Sequence, residues 1–65
     1  MTPEQKAAFI FSQVACALAQ IEGMKVMNTE RERNGLALAY DEQAFLDVPI
    51  QYGITHNAVV EFFRS

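Results

Sequence analysis

Sixty-five residues, 51% of them hydrophobic, with a net charge of −3, bound one domain over 1–65 and argue against a protein that binds nucleic acid. One cysteine leaves no intrachain disulfide, and Cys16 with the single histidine, His56, falls short of a zinc ligand set, so neither a metal nor a cofactor is expected. A chain this short buries only about 60% of its unfolded surface, and the apolar excess therefore points to a homo-oligomer.

The opening MTPEQK reads as a helix start. Thr2 suits an N-cap, Pro3 the first helical position, and Gln5 completes a capping box. The same stretch lacks the basic segment and apolar core of a secretory signal. None of the uninterrupted apolar runs approaches the ~18 residues of a membrane span. The expectation is a soluble, cytoplasmic protein with a reduced thiol and no membrane partner.

From Pro3 to Arg33 no proline intervenes and strong helix formers dominate. Ile10, Val14, Ala17, Ile21, Met24 and Asn28 fall on one helical face. Asn34-Gly35 supplies a stop, the glycine taking a left-handed conformation. Such a helix is about 46 Å long, longer than a domain of this size is wide, so part of it should pack on another subunit. Gly23 marks either a kink or a close backbone approach. Cys16 reads as a buried small hydrophobe and Met24 and Met27 as adaptable core or interface filler.

The next segment, LALAY, reads as a loop that turns Leu36 and Leu38 inward. Asp41 caps a second helix, from Glu42 towards Tyr52, with Glu42 complementing the dipole. Pro49 should kink or break it near Val48, leaving as little as two turns. Gly53 then punctuates, and Thr55 caps a last helix with Ile54 set to staple against Val59. Val59, Phe62 and Phe63 form its buried face. The predicted fold is all-α: one long N-terminal helix followed by two short ones, assembled as a homo-oligomeric helical bundle.

Three constellations bear on function. Gly53, Ile54, Val59 and Phe62 have the spacing of a helix-turn-helix. The segment 36–65, however, carries Asp41, Glu42, Asp47 and Glu61 against Arg64 alone, which opposes phosphate attraction and argues against nucleic acid. Catalysis lacks a nucleophile with a base in reach, and the scattered glycines form no phosphate loop, so no enzyme is expected and no catalytic residue assigned. The polar stretch 28–34 has two readings. The plainer one is a solvated helix end in which Glu30 and Arg33 pair. The sharper one notes that Asn28 and Arg31 continue the packed face and need polar partners. Tyr52, His56 and Asn57, from the same or a neighbouring chain, could supply them. Asn28, Arg31, Tyr52, His56 and Asn57 would then suit a small anionic or nucleotide-like ligand, with Arg31 clasping phosphate and Tyr52 stacking on a base.

GMKVMNTERERNG, AYDEQAF and YGITHNAV together resemble short proteins of tailed bacteriophages and prophages. That resemblance implies a phage accessory role in the host cytoplasm. Proteins of this size there commonly counter host immunity, by sequestering a nucleotide signal as an oligomer or by blocking a defence protein. The acidic carboxyl-terminal half suits the second mode, against a basic partner.

Overall fold

In the computed structural model, which describes residues 1–65, the chain forms three helices and no strand: α1 (Pro3–Arg33), α2 (Glu42–Gln51) and α3 (His56–Arg64). Helix α1 begins where the sequence signals it. The Thr2 hydroxyl accepts from the Gln5 backbone N–H at 3.1 Å, and the Gln5 side chain accepts from the Thr2 N–H at 3.0 Å.

Helices α1 and α2 end with the same C-terminal device. After α1, Gly35 takes φ +73°, its N–H donates to the Glu32 carbonyl, and the Leu36 N–H donates to the Arg31 carbonyl at 2.8 Å. After α2, Gly53 takes φ +66°, donating to Ile50, while Ile54 donates to Pro49 at 3.0 Å. Each is a Schellman motif, which satisfies helix-end carbonyls and needs glycine at the left-handed position. Asp41 and Thr55 then cap α2 and α3, accepting from Ala44 and Ala58 at 2.9 and 3.3 Å.

The returning segment runs antiparallel along α1. Helices α2 and α3 each pack on α1 and not on one another. Tyr40 lies at Asn28, Tyr52 at Gln13 and Gln20, and Phe62 at Phe9, the last two rings 5.5 Å apart. Ala17, Met24 and Val48 alone are buried, with Ile21, Tyr40, Ala44, Phe45, Tyr52 and Ile54 packed around them. Lys6 closes the far end, its ammonium 5.7 Å from the Phe62 ring centre and donating to the Ser65 carbonyl.

Of the two outcomes expected at Pro49, a kink or a break, helix α2 shows the milder: it is bent and continues through Pro49 to Gln51. Several other expectations need correction. Leu36 and Leu38 are 53% and 55% exposed. The loop is held by its backbone, and Tyr40 rather than a leucine enters the core. Phe63 is exposed, while Ala58, Val59, Val60 and Phe62 are half-buried. Cys16 is exposed, since two short helices cover only one face of α1. Glu30 and Arg33 do not pair; the ion pairs are Glu22–Lys25 and Glu61–Arg64, at 3.0 and 3.4 Å.

The molecule measures 49 × 17 × 10 Å, with a radius of gyration of 15.1 Å. A compact domain of this length has a radius near 11 Å. Between Ala7 and Ala19, helix α1 carries apolar side chains around its circumference, a pattern of helices buried on all sides. By length and composition α1 could also cross a membrane, with a mean hydropathy of 1.4 over its most apolar window. The uninterrupted-run criterion misses this because Ser12, Gln13 and Gln20 punctuate a stretch that holds no charge between Lys6 and Glu22.

Candidate functional site

The five residues singled out in the sequence fall into two groups. Asn28 and Arg31 form the first, at the carboxyl end of α1. The Asn28 amide donates to the Tyr40 carbonyl at 2.9 Å and its oxygen accepts from the Tyr40 N–H at 3.0 Å. One side chain thus satisfies both polar groups of a half-buried loop residue. Arg31 donates through Nε to the Ala37 carbonyl at 2.7 Å. Within one chain, the partners of Asn28 and Arg31 are therefore the backbone of the 36–41 loop.

Tyr52, His56 and Asn57 form the second group, around the α2–α3 turn. The Tyr52 hydroxyl donates to Gln20 Oε1 at 2.8 Å, and its carbonyl accepts from Gln13 Nε2 at 3.2 Å. Gln20 also donates to Gln51, at 3.4 Å. His56 and Asn57 open α3, exposed, and their side chains make no hydrogen bond. Arg31 stands about 27 Å further along the α1 axis than Gln13, counting 1.5 Å per residue. One chain does not bring the two groups together.

Gln13 and Gln20 were missed in the sequence. They sit two helical turns apart, beside the apolar stripe, and that spacing was the available signal. Both belong to the polar seam that positions Tyr52.

The helix-turn-helix spacing at Gly53 does not produce that motif, because α2 and α3 do not pack on each other. The single chain encloses no pocket and groups no metal-binding cluster. What it does present is apolar surface. Phe11 is 80% exposed, Ile50 63%, and Leu18 and Val26 57% each. Compared with protein-family models, curated proteins and solved structures, the chain gives no match.

Proposed function

We propose that this protein is a non-enzymatic binding protein that acts as a homo-oligomer and sequesters a small anionic, nucleotide-type ligand between subunits. One observation carries the reading: three residues are buried, while large apolar side chains stand exposed on all three helices and the loop. Burying apolar area is the dominant favourable term in folding and association, and further copies of the chain are the partner always available. The ligand class is supported by the residue types at the α2–α3 turn. Tyr52 offers an aromatic face and His56 and Asn57 offer unengaged polar groups, with Arg31 of a neighbouring copy as the cation. The resemblance of GMKVMNTERERNG, AYDEQAF and YGITHNAV to phage proteins supports the biological setting, a phage accessory role against host immunity. Thermal-shift screening against mono-, di- and cyclic nucleotides tests the ligand class. A ligand at 100 times its dissociation constant adds about 2.7 kcal/mol, and His56→Ala with Asn57→Ala should abolish the shift. No shift with any nucleotide would contradict this reading. It would favour a protein-blocking inhibitor instead, for which the excess of carboxylates in 36–65 is the supporting observation.

A further inference from the structure

We propose that the outward face of α1 is the contact surface for a second copy of this chain, in an antiparallel α1–α1 pair centred between Ala15 and Cys16. The proposal rests on the homo-oligomer reading and adds which face pairs, with what partner and in which register. The first support is area. The chain exposes 4921 Å², against about 4,200 Å² for a compact monomer of 7.3 kDa. The excess over the whole chain, roughly 720 Å², is close to the ~800 Å² that each partner contributes to a standard interface.

The second support is the pattern on that face. Ala8, Ser12, Ala15, Ala19 and Gly23 are spaced three or four apart, so they form one line of small residues along the helix, and all are exposed. Phe11 and Leu18 rise on one side of the line, Phe9 and Met27 on the other, and Val26, three residues beyond Gly23, closes its end. A shallow groove between bulky flanks lets two helix backbones approach closely. Gly23 belongs to this argument. A Cβ built there meets no atom within 4 Å, so nothing in the single chain accounts for a helix-interior glycine that costs about 1 kcal/mol relative to alanine.

The third support is the register. Reversed about the midpoint between Ala15 and Cys16, four of its five members match: Ala8 pairs with Gly23 and Ser12 with Ala19, with Ala15 and its neighbour Cys16 beside the two-fold axis. A two-fold contact needs such self-complementarity. Antiparallel packing also sets the helix dipoles head to tail. A parallel pair would instead bring Glu22 beside Glu22 and Lys25 beside Lys25. The occupant is a protein rather than lipid because the Glu22–Lys25 ion pair, with side chains 69% and 60% exposed, lies at the border of this face. An interface rim accommodates such charges, whereas hydrocarbon does not.

The test combines sedimentation with cysteine cross-linking of the full chain. Wild type should sediment as a dimer or larger. Ala15→Arg and Gly23→Leu change positions exposed in the single chain, so helix content by circular dichroism should hold, and rise for Gly23→Leu. Their dimer dissociation constants should rise on the order of 100-fold or more, as for a charge at an interface centre or bulk forced between two close helix backbones. Ile50→Arg, on α2, should leave the α1 pair intact. Air oxidation with copper–phenanthroline should join two Cys16 thiols in an interchain disulfide. Ala8→Cys in a Cys16→Ser background should not cross-link, whereas a parallel pair would. A monomeric wild type overturns both the pair and the homo-oligomer reading. An oligomer unchanged in mass by both α1 substitutions, or cross-linked through Ala8→Cys, overturns the pair alone. Wild type that floats with phosphatidylcholine vesicles and forms no dimer overturns it in favour of lipid on this face.

Discussion

Replacing Asn28 by alanine separates a structural side chain from a ligand-binding one. In the free protein Asn28 makes two hydrogen bonds to Tyr40, at 2.9 and 3.0 Å. Each contributes about 0.5–1.5 kcal/mol net, and a buried partner left unsatisfied costs about 1–3 kcal/mol. Tyr40 is half-buried, so water can recover part of that loss, and the expected destabilisation is about 2 kcal/mol. For a domain of this size that corresponds to a fall in Tm of roughly 8–16 °C. Thermal unfolding followed by circular dichroism, with both proteins at one concentration and without ligand, reads it. Asn28→Asp should be at least as harmful, because it keeps the acceptor for the Tyr40 N–H but sets an oxygen against the Tyr40 carbonyl. A loss under about 0.5 kcal/mol for Asn28→Ala would refute the reasoning, since surface substitutions away from such features fall in that range.

Val48 is 0% exposed, and Val48→Ala should cost about 2 kcal/mol in urea unfolding, at ~0.8 kcal/mol per lost methyl plus the cavity left behind. Gly53→Ala forces a Cβ into φ +66° and should cost about 1 kcal/mol, with a fall in midpoint and no change in slope. Asp41→Ala removes the cap on α2 and should cost about 1 kcal/mol, read by the same unfolding curve.

Most of the fold was legible because its signals are local. Thr2, Pro3 and Gln5 mark the start of α1, Asn34-Gly35 its end, and Asp41 and Thr55 the next two helices, each through hydrogen bonds reaching at most a few residues. Leu36 and Leu38 were misplaced because hydrophobicity alone does not say which residue of a loop enters the core. That was decided by Asn28 and Arg31 fixing the loop backbone, side-chain contacts across the turn that no periodicity announces. Of the two readings of residues 28–34, the structure engages Asn28 with a polar partner, but that partner is the Tyr40 backbone, which sequence spacing does not identify. Pro49 was read as a kink or a break from its missing N–H; the helix bends and continues to Gln51, a choice between the two that the proline alone does not make. For Tyr52, His56 and Asn57 the sequence placed the cluster at a turn. What could complete it depends on a second chain, whose position no local rule specifies.

The central claim is that one copy of this chain does not finish its own core. Sedimentation equilibrium across the micromolar range, paired with thermal unfolding of the same samples, tests it most directly. The account predicts a mass at least twice the 7.3 kDa of one chain and a Tm that rises with protein concentration. A mass of one chain, with a cooperative transition whose midpoint does not move on dilution, would contradict it.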